Sequence, residues 1–219
     1  MIQLIHDIEG VIFDLDGTLI ASEHINVAAG RKTFQELGQP LTEKEEKIIP
    51  GKSSLDSVPI FLAKRGFPEA ECRAVIAKYR ANYDAIWDAE VRLMPQAREI
   101  LAALRSRGKR IAIATTNRRS TVEKVLEKFE LRSYFDCYAS SEDVTNRKPD
   151  PEIYNIAKML LGLPDDALIA VEDTEIGVKS AKSAGLICVA IPSEYSRNEN
   201  FQMADFILAS LGELPGLVK

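Results

Sequence analysis

Apolar and polar positions follow two different rhythms along this chain. Near the N-terminus, Val11-Ile12-Phe13 is an unbroken β-branched and aromatic run that stops at polar residues, the pattern of a strand buried on both faces of a parallel sheet. From residue 22 to residue 88 the rhythm is helical. Ser22 is placed to cap a helix reaching residue 37, where Gly38-Gln39-Pro40 stops it, and Thr42-Glu43-Lys44-Glu45 has the form of a capping box opening a short helix before Pro50-Gly51. Two further helices are predicted over 55–65, closed by Gly66, and from 69 to about 87. From residue 91 onward strands and helices alternate. A helix runs from Pro95 toward Gly108, followed by a strand over 110–114, a helix over 120–129 and a weak strand over 135–139. Then come a helix over 151–161, a strand over 167–171, a helix ending at Gly185, a strand over 186–191 and an edge strand at 206–208. Alternation of this kind belongs to βαβ units. The expected fold is α/β, a Rossmann-like parallel sheet flanked by helices, with an inserted α-helical module.

Composition narrows the function classes. The chain has 219 residues, 46% of them hydrophobic and 28% charged, enough for a real core and ordinary for a soluble globular protein. A balance of 28 Lys+Arg against 33 Asp+Glu, net −5, argues against general nucleic-acid binding. Arg105, Arg107, Lys109 and Arg110 cluster around Gly108 and read as a solvated face favoured by a helix dipole. Cys72, Cys137 and Cys188 are odd in number and far apart, so neither a disulfide framework nor a zinc site is expected. Cys188 reads as a small buried hydrophobe. His6, Asp7 and Glu9 interrupt any leader-like segment and no run is long enough for a membrane span, so a cytoplasmic location is expected.

Three of the apolar strands end in polar residues: Asp14 and Asp16, then Thr115-Thr116-Asn117, then Glu172-Asp173. In a right-handed parallel sheet those ends point the same way, toward the crevice where open α/β sheets bind ligands. Asp14-Leu15-Asp16-Gly17-Thr18 puts two carboxylates two residues apart, where they repel unless a cation sits between them or one keeps its proton. With each residue type at about 5–7% of average composition, chance gives such a five-residue match in a chain of this length on the order of a few times in a thousand.

A phosphate monoester fits these groups. Its dianion would be repelled by Asp14, Asp16, Glu172 and Asp173 unless a hard cation neutralised them, and Mg²⁺ prefers carboxylate, water and phosphate oxygens. Asp14 could attack phosphorus, giving an aspartyl-phosphate, while Asp16 delivers a proton to the leaving oxygen and later takes one from water. Thr115 offers a hydroxyl donor for a phosphoryl oxygen, with the following backbone N–H groups at Thr116 and Asn117 adding more. Lys148, before Pro149, is the candidate cation on the side away from the metal.

In order and approximate spacing, Asp14-x-Asp16-Gly17-Thr18, Thr115 after its strand, Lys148-Pro149 and Glu172-Asp173 resemble the four motifs of the haloacid dehalogenase superfamily of phosphohydrolases. The likeness runs from Gly10 to about Gly185, and Glu172-Asp173-Thr174-x-x-Gly177-x-x-x-Ala181-x-x-Ala184-Gly185 is its most characteristic segment. The resemblance implies Asp14 as nucleophile, Asp16 as general acid/base, and Thr115 and Lys148 as phosphoryl-binding groups. It implies Mg²⁺ held by Asp14, the backbone carbonyl of Asp16, Asp173, and Glu172 directly or through water. Residues 1–20 and 90–219 would form the core domain and residues 21–89 a helical cap that closes over the substrate, with hinges near Ile20-Ala21 and Glu90-Val91.

Departures from the pattern shape the expected activity. Position 21 is Ala where many relatives have Asp. Dehalogenases lack the second aspartate, so Asp16 argues against that chemistry. β-Phosphoglucomutases carry a histidine where this chain has Asn26, and their basic cap residues find no clear match around Pro50-Gly51-Lys52-Ser53-Ser54. Lys52 is a candidate for a substrate carboxylate or second phosphate, or a solvated loop charge. The stripe of Tyr79, Tyr83 and Trp87 reads as cap packing. The expected activity is hydrolysis of a small phosphorylated metabolite by a monomer or weak dimer, without nucleic acid or membrane. The alternatives are a phosphosugar mutase and a non-catalytic phosphate-ligand binding protein.

Overall fold

The computed structural model describes residues 5, 7–50 and 54–218. In chain order its elements are β1 (Gly10–Phe13), β2 (Ile20–Ala21), α1 (Glu23–Glu36), α2 (Glu43–Glu46), α3 (Ser54–Lys64), α4 (Cys72–Glu90), β3 (Arg92–Leu93), α5 (Ala97–Ser106) and β4 (Arg110–Ala114). They continue with α6 (Arg119–Lys128), β5 (Cys137–Ala139), α7 (Glu152–Leu161), β6 (Leu168–Glu172), α8 (Glu175–Ser183), β7 (Ile187–Ala190), β8 (Phe206–Ile207) and α9 (Leu214–Leu217). By contact the chain divides into two compact units, residues 1–20 with 93–219, and residues 21–92.

The first unit is built on a six-stranded parallel sheet in the order β5-β4-β1-β6-β7-β8. Its central strand β1 pairs on one side with β4 and on the other with β6, so Ile12 lies between Ala112 and Ala170. The strand order reverses at β1 and β6, and the crevice beyond their carboxyl ends is where such sheets place ligands. Side-chain parity sorts the two faces. Val11, Phe13, Ile111, Ile113, Ile169 and Val171 are fully buried on one face. The other face carries Ile12, Ala112, Ala114, Ala170, Cys188 and Ala190, and these mostly small residues pack against Tyr154, Ala157 and Leu161 of α7 and Val178 and Ala181 of α8. Cys188 is the buried apolar filler its surroundings suggest, and the three cysteines are free.

The basic cluster is in part the solvated face its sequence suggests, with Arg105 and Arg107 exposed and Lys109 and Arg110 half-buried, but its members also make specific contacts. Arg105 pairs with Asp136 at 2.8 Å. Arg107 donates to the carbonyls of Pro215 (2.7 Å) and Val218 (2.9 Å), Lys109 donates to the carbonyl of Ile8 (2.5 Å), and Arg110 donates to the carbonyl of Leu161. These cations therefore tie the C-terminal segment and the start of the sheet to the α5–β4 turn; their partners are too distant in sequence for a local pattern to reveal. Also unforeseen are β2 and β3, which pair as a two-stranded ribbon where the chain passes between the units. Two residues are too few to show a period.

In the second unit, Ala29, Phe34, Ile49, Val58, Phe61, Leu62, Val75 and Tyr79 form a core of their own, with Phe34 and Phe61 edge to face at 5.6 Å. α4 runs a turn beyond the predicted end, to Glu90. The capping box at α2 is present in full: the Glu45 amide donates to the Thr42 hydroxyl (3.3 Å) and the Thr42 amide donates to the Glu45 carboxylate (2.9 Å). Ser22 precedes α1, but its side chain makes no capping hydrogen bond.

Glu45 has a second task. Arg65 grips its carboxylate with two hydrogen bonds of 2.8 and 2.9 Å, donates to the carbonyls of Phe61 and Pro40, and stacks 5.2 Å from the centroid of the Phe34 ring. The Arg65 hydrogen bond, opposed by burial and helped by the Thr42 amide, lowers the Glu45 carboxyl from 4.5 to about 2. A depressed carboxyl stabilises the fold at pH above its unfolded value, and that contribution disappears as pH falls through the folded value. Arg65→Ala should therefore lower the stability of this unit by about 2 kcal/mol near pH 6, and the gap to the unmodified chain should narrow between pH 4.5 and 2 to what the lost contacts with Phe61, Pro40 and Phe34 contribute. Trp87, the single tryptophan, lies in this unit, so its fluorescence during urea unfolding measures the difference. No helix among the described residues is long and apolar enough to cross a membrane.

Candidate active site

Strand parity delivers the first charged side chains. Asp14 follows Ile12, and Glu172 follows Ala170, so both continue the sheet face covered by α7 and α8. Glu172 is still within β6 and is fully buried; Asp14, just past β1, is 8% exposed and Asp173 only 3%. Lys148 comes from the loop between β5 and α7, at a cis Lys148–Pro149 peptide. Its ammonium donates to Asp14 Oδ1 (2.5 Å), Glu172 Oε1 (2.6 Å) and the carbonyl of Ala114 (3.0 Å), which spends all three of its donors within the site.

The carboxylates of Asp14, Glu172 and Asp173 each offer an oxygen within 4.8 Å of the others. The Asp16 carboxylate is not part of that group; half-buried, it accepts a hydrogen bond from the Asn117 side-chain amide. Thr115 is 1% exposed, and its hydroxyl oxygen accepts from the Asn117 backbone N–H (3.1 Å), which leaves the hydroxyl proton to be donated elsewhere. Thr116 is exposed. Lys52 lies outside the described residues. In the helical unit, the backbone carbonyl and side-chain oxygen of Asn26 accept the Tyr79 hydroxyl at 2.7 and 2.9 Å.

Four carboxylates, Asp14, Asp16, Glu172 and Asp173, thus share one neighbourhood with Lys148. Burial, reinforced by the Glu172 and Asp16 charges and opposed by Lys148, pushes the Asp14 carboxyl up to about 8. Against burial, the Asp14 and Glu172 charges hold Lys148 above the ordinary lysine value, so it stays an ammonium. One ammonium does not balance these acids, and an all-oxygen donor set of three converging carboxylates suits a hard divalent cation.

The local backbone makes room for the acids. Gly17 has φ +75°, and a Cβ on it would lie 2.0 Å from Asp173 Oδ2; a Cβ on Gly177 would lie 2.0 Å from Glu172 Oε2. Gly108 has a similar φ of +74° with nothing within 4 Å of such a Cβ. Gly17→Ala and Gly108→Ala should each cost about 1 kcal/mol from left-handed strain. If a divalent cation such as Mg²⁺ or Mn²⁺ raises the melting temperature of the unmodified chain, only Gly17→Ala should also lose that rise, as measured by differential scanning calorimetry. Equal cation responses in the two variants would separate Gly17 from the site.

Sequence reasoning did not anticipate Tyr154 or the Ala114 carbonyl. Tyr154 is fully buried on α7, its hydroxyl donates to Glu172 Oε1 (2.6 Å), and Lys148 Nζ lies 5.0 Å from its ring centroid. Burial, with the Glu172 and Asp14 charges, raises this phenol well above its usual value, so it keeps its proton. In sequence it reads as one more member of an apolar helix face, and only the polar hydroxyl inside a fully buried stripe hints at a partner.

A family model described as haloacid dehalogenase-like hydrolase matches residues 11–191. Protein CbbY of Cereibacter sphaeroides is 33% identical over 219 aligned residues, covering 96% of this chain and 95% of its own. A phosphorylated carbohydrates phosphatase of Thermotoga maritima is 32% identical over 179 residues, 81% of this chain and 82% of that one. The crystal structure of a mutant CbbY from Rhodobacter sphaeroides in complex with xylulose-(1,5)-bisphosphate superposes with a TM-score of 0.84 at 29% identity, covering 97% of this chain and 100% of that one.

Proposed function

The chain belongs to the haloacid dehalogenase-like hydrolase family and is a phosphoric monoester hydrolase of that family, and on that premise we propose that it hydrolyses a small sugar phosphate or sugar bisphosphate through a covalent aspartyl-phosphate on Asp14. The observation that carries this reading is the Lys148 ammonium bridging Asp14 and Glu172 beside Asp173, at the carboxyl ends of adjacent strands. The relatives that act on phosphorylated carbohydrates, or that bind a pentulose bisphosphate, support the substrate class.

In this mechanism Lys148 holds Asp14 by Oδ1 and presents the other carboxylate oxygen to phosphorus. As that oxygen forms its bond to phosphorus, the bond to the ester oxygen breaks, and Asp16 gives its proton to the departing alkoxide. Asn117 steadies Asp16 through its amide. The Thr115 hydroxyl and the Thr116 backbone N–H donate to the phosphoryl oxygens, while the Asn117 N–H stays on the Thr115 oxygen and orients that hydroxyl. In the second half, water gives its proton to Asp16 and attacks phosphorus; the phosphorus–Asp14 bond breaks, restoring the carboxylate and releasing phosphate. Mg²⁺ held by Asp14, Asp173, Glu172 and the Asp16 carbonyl would supply neutralising charge for the incoming dianion. Hydrolysis is favoured over isomerisation by Asn26, because a carboxamide held by Tyr79 does not exchange protons as an imidazole would.

The test is a phosphate-release screen over sugar mono- and bisphosphates, phosphoglycolate, nucleotides and pyrophosphate, with and without Mg²⁺. Release that requires the metal and is greatest for sugar phosphates is expected. Conversion of a sugar phosphate to its isomer without free phosphate, or no release from any substrate, would overturn it.

A further inference from the structure

We infer that Tyr154 is a positioning residue for this site, its hydroxyl pinning the Glu172 carboxylate so that Glu172 is held ready for the divalent cation while Lys148 remains on Asp14. The inference rests on the proposed role of Glu172 in holding the cation.

Glu172 Oε1 receives two donors from different elements, Lys148 from the loop and Tyr154 from α7, each at 2.6 Å. A lysine alone anchors a carboxylate loosely, since its stem has four rotatable carbons. A tyrosine packed in a fully buried ring site has two torsions, both fixed by its neighbours. With Oε1 tied in this way and the carboxylate seated against Gly177, Glu172 has little freedom to turn. Charge balance points the same way. Lys148 is shared between two buried acids, and without the phenol Glu172 would draw more heavily on the ammonium that also aligns Asp14. The ring itself lies 5.0 Å from Lys148 Nζ and would remain in a phenylalanine, which packs equally well. Helix packing alone therefore gives no reason for a hydroxyl in so deeply buried a place.

Tyr154→Phe separates the hydroxyl from the ring. Mg²⁺ binding to substrate-free protein, followed by titration calorimetry, should weaken by about 10-fold or more, the usual effect of removing a group that orients a metal ligand. The metal-free melting temperature should fall far less than for Tyr154→Leu, and in turnover kcat should drop while KM for the phosphate ester stays close to its original value. Tyr154→4-aminophenylalanine, which restores an N–H donor at the same point, should return the Mg²⁺ affinity toward its original value, and it serves equally if the Phe variant fails to fold. A loss of thermal stability with unchanged Mg²⁺ affinity, or no rescue by the amino group, would overturn the inference. Glu172→Gln is the reference. If it weakens Mg²⁺ binding and Tyr154→Phe does not, the role of Tyr154 fails alone. If Glu172→Gln leaves Mg²⁺ binding unchanged, the cation role of Glu172 fails and takes this inference with it.

Discussion

Asp14→Asn is expected to lower metal-dependent phosphate release by roughly 10⁴-fold or more while leaving the fold in place. A carboxamide is nearly isosteric with the carboxylate and still offers Lys148 an oxygen acceptor, but it is too weak a nucleophile to form the acyl phosphate proposed for Asp14. The structure also explains why the fold should tolerate the change. Burial, with the Glu172 and Asp16 charges and against the Lys148 ammonium, pushes the Asp14 carboxyl up to about 8, so a neutral side chain at this position suits the fold. Circular dichroism and the metal-free melting temperature should show a native variant. Mass spectrometry of the acid-quenched reaction should show a phosphate adduct in the unmodified enzyme and none in the variant. Retention of activity within tenfold would remove Asp14 from the nucleophile's role.

Lys148→Met is expected to have the largest effect on stability. The methionine fills much of the lysine's volume but leaves two buried acids, Asp14 and Glu172, without their shared cation. Removing one partner of a buried charge cluster costs about 3–5 kcal/mol. A divalent cation drawn to the same carboxylates can replace part of the missing charge, so Mg²⁺ should raise the melting temperature of Lys148→Met by more than it raises that of the unmodified protein. Turnover should remain low even at saturating Mg²⁺, because the cation does not restore the donor that aligns Asp14. Chemical denaturation with and without Mg²⁺, monitored by far-ultraviolet circular dichroism, checks both effects. A loss below 1 kcal/mol in metal-free buffer would mean that Lys148 is dispensable for holding these acids together.

Much of the sheet was legible because its signal is local. Runs such as Ile111-Ala112-Ile113-Ala114 and Leu168-Ile169-Ala170-Val171 declare buried strands by composition, and the polar residues after them mark where each ends. The capping box at Thr42 and Glu45 was equally readable, since both partners lie within one turn. Other features were not. Arg107 reaches carbonyls 108 and 111 residues away, and Lys109 reaches one 101 residues away. A cluster of basic residues in the sequence looks the same whether its members point to water or staple the chain ends. Tyr154 was hidden for a similar reason, because helical spacing assigns it a face and says nothing of what stands opposite.

By itself, then, the sequence determined the parallel α/β core, the helical character of residues 22–88 and the candidate acids at the strand ends. Backbone hydrogen bonding and hydrophobic burial impose periods of 2 and 3.6 residues, which can be read along a single chain. Only the tertiary structure decided which charges share a site. It brought Lys148 onto Asp14 across 134 residues and onto Glu172 across 24, set Tyr154 behind Glu172, turned Asn117 toward Asp16 and cleared space for Asp173 at Gly17. The physical reason is that interactions between charges depend on distance and burial in three dimensions, and no residue's own neighbours in sequence carry that information.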